Sequence, residues 1–298
     1  MSALLYWLVI KPISLLPYPL LYGVSDFFFV IFYYLVGYRK KVVTDNLRKS
    51  FPEKSEKEIK TIRRKFYHHF CDLVFESLKN FSITRKQAES RMRTLNPEIY
   101  EELHRQGKSV ILCGGHYCNW ELWAVATPGF FKHKLIAIYK QLSNPYFDQK
   151  MRVTRGRFGL DMISTKEFGN YFQEHREDLT VSVFAIDQSP SNPKKCLWID
   201  FMGRETATHY GAEKYANMFN YPVVFGHLKK VKRGHYEVQY ELVTMNPENL
   251  AYGELTQQMH RLLEVDVRKA PEFWLWTHKR WKHKRPAEEN FQEEASNH

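Results

Sequence analysis

His116 and Glu121 are the first residues whose types and spacing point to chemistry. They bracket the hexapeptide His116-Tyr117-Cys118-Asn119-Trp120-Glu121, which follows an apolar run at 109–113 and the glycines Gly114 and Gly115. An imidazole takes up and returns a proton near neutral pH, and a neighbouring carboxylate fixes its tautomer and stabilises the imidazolium. That pairing suits general-base catalysis. Positions five apart on a helix diverge by ~140° at about 100° per residue. Convergence therefore requires His116 in a turn and Glu121 on the first turn of the helix that follows. Gly114 and Gly115 permit such a turn because glycine tolerates φ > 0. A helix N-terminus also favours the Glu121 charge. Spacing alone leaves a second reading open, a surface histidine beside a helix-start glutamate.

Other residues carry chemical potential of their own. Cys118 is two residues from His116, but no nucleophile elbow surrounds it. The cysteines Cys71, Cys113, Cys118 and Cys196 form no C-x-x-C pair. They read as small apolar residues in a reducing compartment, without a disulfide framework. No metal site is expected, since H-E-x-x-H spacing is absent and the cysteines do not cluster. Arg155 and Arg157 suit either surface solvation or the binding of a phosphate or developing oxyanion. Asp187 ends an apolar run at 181–186, where it can order Arg155 or His116, or cap a turn. Trp274, Trp276 and Trp281 are interleaved with Lys279, Arg280, Lys282, Lys284 and Arg285. That mixture suits an anionic membrane face or a phosphorylated headgroup. It equally suits tryptophans packed in the core beside a solvated basic face.

The elements that must position these groups alternate in type. A long helix is predicted over 53–80, where Ile59, Ile62, Phe66, Phe70, Leu73 and Leu78 recur at helical intervals. Further helices are predicted over 97–106, 120–126, 145–157, 168–176, 208–219 and 255–267. Strands are predicted over 109–113, 135–139, 180–186, 197–201, 221–228 and 235–243, the last with Tyr236, Val238, Tyr240 and Leu242 on one face. The pattern implies an α/β fold with a largely parallel central sheet flanked by helices. There is no internal repeat.

Residues 1–41 form a segment apart. Residues 3–10 are apolar, Lys11-Pro12 interrupts them, and 15–21 contain Pro17 and Pro19. Residues 20–37 then carry one charge, Asp26, and at ~1.5 Å per residue would extend about 27 Å, close to a hydrocarbon core. Arg39-Lys40-Lys41 follow, favouring a cytoplasmic location for what comes next. Tyr18, Tyr22, Tyr33, Tyr34 and Tyr38 suit the lipid–water interface. The readings left open are a membrane span, an interfacial anchor and a helix packed on the domain. No cleavage site of small residues is evident. The expected organisation is a membrane anchor over 1–41, a catalytic domain over 42–285 and a polar, frayed tail over 286–298. A net charge of +11 over 298 residues implies an anionic partner. Without zinc-finger or RNP-like runs, a nucleic acid is not expected.

The blocks along the chain resemble the late lipid A biosynthesis acyltransferases of the lysophospholipid acyltransferase superfamily, from about residue 16 to 286. Leu16-Pro17-Tyr18-Pro19 opens the resemblance. Tyr38-Arg39-Lys40-Lys41-Val42-Val43, Asn46-Leu47 and Phe51-Pro52-Glu53 match the juxtamembrane stretch. Residues 116–121 are the H-x4-D/E signature in its Glu form. Tyr139-Lys140, Asn144-Pro145 and Arg155-Gly156-Arg157-Phe158-Gly159 look like the second block. Asp187-Gln188 look like the third, and Phe201-Met202-Gly203, Thr208 and Gly211 like the fourth. The run from Pro271 to Lys282 resembles the C-terminal signature.

The resemblance implies an inner-membrane enzyme facing the cytoplasm. It would move a fatty acyl group from acyl carrier protein, or acyl-CoA, to a hydroxyl of an anionic lipid A precursor, with no further cofactor and no acyl-enzyme. It implies His116 as base, Glu121 as its partner, Arg155 as a charge-stabilising residue and Asp187 as a further functional carboxylate. Asn144, Arg157, Gly203, Thr208 and Arg280 are the candidate substrate-binding residues. Cys118 and Asn119 stand where such proteins are variable and often more apolar, and Met202 stands where Phe or another apolar residue is common. Alternatives are an enzyme of the same fold acting on another lysophospholipid, glycolipid or aminolipid, and a non-catalytic lipid-binding protein. The intact His116/Glu121 pair speaks against the last.

Overall fold

Val110, Ile111, Leu112 and Cys113 are all buried. A strand apolar on both faces belongs at the centre of a sheet covered on both sides. The computed structural model, which describes residues 2–175 and 177–285, places it there. In chain order the helices are α1 (Ser2–Leu5), α2 (Lys11–Leu15), α3 (Tyr18–Val30), α4 (Lys40–Ser50), α5 (Glu56–Lys79), α6 (Arg85–Glu89), α7 (Glu98–Arg105), α8 (Trp120–Ala126), α9 (Pro145–Gly156), α10 (Phe168–Glu174), α11 (Gly211–Phe219) and α12 (Glu254–Lys269). π-Helical turns at Tyr6–Ile10 and Ile31–Val36 join α1 to α2 and prolong α3. The strands are β1 (Met92–Thr94), β2 (Val110–Gly114), β3 (Lys134–Tyr139), β4 (Leu160–Ser164), β5 (Thr180–Ala185), β6 (Leu197–Phe201), β7 (Arg204–Thr208), β8 (Val223–Lys232) and β9 (His235–Thr244).

Seven strands form one sheet in the order β1-β9-β8-β2-β5-β3-β4. All neighbours are parallel except β8 and β9. β6 and β7 form a separate antiparallel ribbon. The expected α/β architecture with a largely parallel sheet is the one observed. On β9, Tyr236, Val238 and Tyr240 are buried as the alternation predicts, while Leu242 is exposed near the end of the strand. The long helix starts at Glu56 rather than 53, because Ser55 and Glu58 form a capping box there.

Three differences have physical causes. Thr208 ends β7 opposite Leu197 instead of starting a helix, and α11 begins at Gly211. The polar run Arg204-Glu205-Thr206-Ala207-Thr208 gives no apolar signal for a strand; β7 forms because the turn at Met202 and Gly203, both at positive φ, folds it back on β6. β1 and β4 are edge strands of three and five residues, too short for their patterning to stand out in the sequence. The expected helix over 168–176 stops at Glu174, and its last residue, Arg176, lies outside the described residues, as does the tail at 286–298. All four cysteines are free thiols.

Gly115 follows β2 directly and packs against α12. A Cβ built there would lie 2.6 Å from Leu263 Cδ1 and 2.8 Å from its Cδ2. Gly115→Ala is therefore expected to lower stability by about 1–3 kcal/mol through overpacking. Combined with Leu263→Ala, it should cost less than the sum of the two single changes. Denaturation of the three variants reads this directly, and strict additivity would show that the contact carries no strain.

Candidate active site

Sheet register brings the two key side chains together. β2 and β5 are parallel neighbours with Gly114 opposite Ala185, and Ile186 N–H bonds to Gly114 O at 3.0 Å. His116 and Asp187 each lie two residues beyond that pair, at the carboxyl ends of adjacent strands, where ligands bind in open α/β sheets. The His116 backbone N–H donates to Asp187 Oδ2 at 2.9 Å, and its Nδ1 lies 2.6 Å from Oδ1. Trp274 Nε1 donates to Oδ2 at 2.8 Å. On the far side of the ring, the Gln188 amide nitrogen lies 3.0 Å from His116 Nε2. An ionised carboxylate only accepts, so Nδ1 carries the proton it shares with Asp187. In the neutral ring Nε2 then presents a lone pair, to which Gln188 donates.

Burial pushes the His116 imidazole down. The charge and hydrogen bond of Asp187, aided by the charge of Glu121, outweigh it and hold the ring above its ordinary 6.5. For Asp187, burial raises the carboxyl, and the His116 contacts with the Trp274 bond hold it well below the usual carboxylate range. The Asp187 side chain is 2% exposed and that of His116 16%, so substrate can reach the imidazole but not the carboxylate.

Glu121 sits on the first turn of α8, as its spacing predicts, but its hydrogen bonds go elsewhere. Arg155, on α9, grips it through Nε to Oε2 at 3.0 Å and Nη2 to Oε1 at 2.5 Å. The tautomer-fixing partner expected at Glu121 is Asp187. Glu121 acts on His116 through its charge, and the Arg155 charge opposes it. The Trp120 ring meets the His116 ring edge to face at 5.0 Å.

The turn itself is held from three sides. Positive φ falls at Cys118 (51°), not at Gly114 or Gly115. That conformation costs roughly 1–2 kcal/mol for an L-residue, so its surroundings must fix it. Cys118 N–H bonds to Phe273 O at 2.9 Å, and His69 Nε2 lies 3.3 Å from Cys118 O. Leu275 N–H reaches His116 O at 3.2 Å. Asn119 caps α8 through Oδ1 to Leu122 N–H at 2.8 Å, and its Nδ2 donates to Glu76 on α5 at 2.5 Å. Burial pushes the Cys118 thiol up, away from the thiolate that a nucleophile needs.

The other sequence candidates lie apart from the imidazole. Arg157 donates to Asn80 O at 3.0 Å and to Ile83 O. Asn144 caps α9 and donates to Ser2 Oγ at 2.9 Å. Gly203 forms the β6–β7 turn at φ 67°. Thr208 is buried and donates to Ile186 O at 3.2 Å, supporting the strand end that carries Asp187. Arg280 is 1% exposed and donates to Ala207 O at 2.7 Å; its charge acts on Asp187. Trp274 and Trp276 are core residues, so of the aromatic–basic run only the lysines and Arg285 are exposed. Gln188, Trp274 and Glu76 complete the site without having been singled out as site residues. The adjacency of Gln188 to Asp187 and the place of Trp274 in the 271–282 run were usable signals; the contact of Glu76 with the site crosses 43 residues and had none.

As a base His116 would act in its neutral form, so activity should rise with pH through its transition. Because that transition lies above 6.5 and Asp187 is the main group raising it, Asp187→Asn should move the ascending limb of kcat/KM to lower pH. It should also lower kcat by at least ~10², because the tautomer is no longer fixed. A pH–rate profile of both proteins tests this, and an unmoved limb would remove Asp187 from the role.

Comparison with known proteins places the chain in a family. Residues 1–283 match the family described as "Bacterial lipid A biosynthesis acyltransferase". The chain is 25% identical over 286 residues to the "Lipid A biosynthesis lauroyltransferase" of Escherichia coli (strain K12), covering 93% of this chain and 88% of that protein. The chain is an acyltransferase and belongs to the bacterial lipid A biosynthesis acyltransferase family.

Proposed function

We propose that this enzyme moves a fatty acyl group from acyl carrier protein to a hydroxyl of a lipid A precursor, at the cytoplasmic face of the inner membrane, with His116 as general base. The observation that carries the base assignment is the His116–Asp187 hydrogen bond of 2.6 Å at the ends of two adjacent parallel strands. The acceptor hydroxyl replaces Gln188 at Nε2 and gives up its proton there. Its oxygen attacks the thioester carbonyl, and a C–O bond forms. The tetrahedral intermediate collapses, the C–S bond breaks, and the His116 proton passes to the departing sulfur. Asp187 stabilises the imidazolium between these steps. Arg155, fixed by Glu121, is the cation proposed to offset the negative charge developing on the carbonyl oxygen.

The donor reading rests on charge. The chain has 44 Lys and Arg against 33 Asp and Glu, and an acidic carrier protein would be steered towards such a surface. The E. coli relative is named for a lauroyl group, a medium-length acyl chain.

Purified enzyme supplied with acyl carrier protein or CoA thioesters and an under-acylated lipid A precursor tests the whole reading. The product should gain one acyl chain by mass spectrometry, with higher kcat/KM for the carrier thioester and a decline in that value as salt rises. His116→Ala should lose at least ~10² in rate while staying folded. Wild-type turnover by that variant would end the base assignment, and a preference for CoA would end the donor assignment.

A further inference from the structure

We infer that Tyr18–Val36 does not cross the membrane but lies on the catalytic domain, and that with Ser2–Leu15 it forms an apolar surface that beds into a single leaflet rich in anionic lipid. The inference deepens the membrane reading above and rests on it. Tyr18–Val36 has 19 residues and the composition of a span, and at ~1.5 Å per residue it is long enough. A span, however, puts its ends on opposite sides of the bilayer. Here both ends are fastened to the same domain.

At the first end, Lys79 on α5 donates to Ser14 O at 2.8 Å and Leu16 O at 2.9 Å. The residues before it also return to the domain: the Tyr6 ring meets Phe81 at 5.5 Å, and Ser2 Oγ accepts from Asn144 at 2.9 Å. At the second end, Tyr67 on α5 donates to Tyr38 O, and Arg39 donates to Thr277 O at 3.0 Å. Between them Tyr22 donates to Glu76 at 2.8 Å and Ser25 to Asp72 at 2.9 Å, while Arg233 bridges Asp26 and Asp72 at 2.6 Å to each. Tyr22, Ser25 and Asp26 are polar groups inside the apolar stretch. Lipid offers them no partners, whereas α5 and the β8–β9 hairpin do.

The outer surface is the reverse. Among the described residues, more than half of the exposed large apolar side chains fall within residues 4–38, including Leu4, Trp7, Leu8, Leu20, Phe27 and Leu35. A concentration of exposed apolar side chains of this kind marks an interaction surface. Its border is basic: Lys150 lies 4.5 Å from the Tyr6 ring and 5.5 Å from that of Trp7, and Arg39 and Lys41 are exposed where the segment ends. An apolar face edged by cations fits acyl chains below and anionic headgroups around it.

The test uses the full chain carrying Cys196→Ser, the remaining cysteines being buried. Ser2→Cys and, separately, Lys57→Cys are added on that background. Each protein is bound to preformed vesicles of phosphatidylcholine and phosphatidylglycerol and labelled from outside with a membrane-impermeant maleimide. Both cysteines should label at the same rate in intact and lysed vesicles. Protection of Ser2→Cys by tenfold or more, released on lysis, would establish a span and overturn the inference while leaving membrane attachment intact. Leu8→Glu with Leu35→Glu should weaken vesicle flotation at least tenfold without changing thermal unfolding. Failure of the unsubstituted protein to float, as when a second copy covers the face, would overturn both the surface and the membrane reading. No readout depends on acyl transfer, so a wrong acceptor would not disturb the result.

Discussion

The structure turns on one buried carboxylate. Asp187 is 4% exposed as a residue and ionised, and a charge so placed must be fully hydrogen-bonded or the fold suffers. It accepts from the His116 backbone, the His116 ring and the Trp274 indole. Those three bonds join the end of β5, the turn after β2 and the segment after α12. The same contacts that compensate burial also set the histidine tautomer and raise its basicity. Stability and reactivity therefore share one set of atoms, and the site is preorganised before any substrate arrives.

α5 applies the same rule at greater length. His69, Asp72, Glu76 and Lys79 are buried along it, and each finds partners in a different part of the chain. Glu76 alone receives Tyr22 from the N-terminal helix, Asn119 from the motif and Tyr236 from β9. The described cluster with metal-like geometry, Asp26, His68 and Asp72, belongs to this stripe. Arg233 already supplies the cation there, bonded to both carboxylates. Polar groups thus hold the apolar helix, and one of them reaches through to the turn that carries His116.

Much of the fold was legible because apolar periodicity is a local property. Residues 109–113, 135–139 and 180–186 announced the central strands, and Ile59, Phe66 and Leu73 the long helix. β7 and β4 were not legible, since a strand at an edge or in a two-stranded ribbon needs little apolar alternation. At the site, local spacing set His116 in a turn and Glu121 on a helix, and both lie there. It could not set their partners. His116 and Asp187 are 71 residues apart, and Glu121 and Arg155 are 34 apart. Those pairings are products of strand register and helix packing, which no hexapeptide contains.

The five-residue interval from His116 to Glu121 consequently encodes placement more than pairing. It puts a carboxylate at the start of α8, where the helix dipole favours its charge, and within reach of Arg155 on α9. The two charge pairs then differ in environment. His116–Asp187 has one member nearly sealed from solvent, so removing either partner strands a buried group. Glu121–Arg155 keeps 15% and 21% of its side-chain surfaces exposed, so water screens it in part. The first pair is suited to hold a proton in place. The second is suited to fix two helices beside the imidazole while leaving a cation partly exposed.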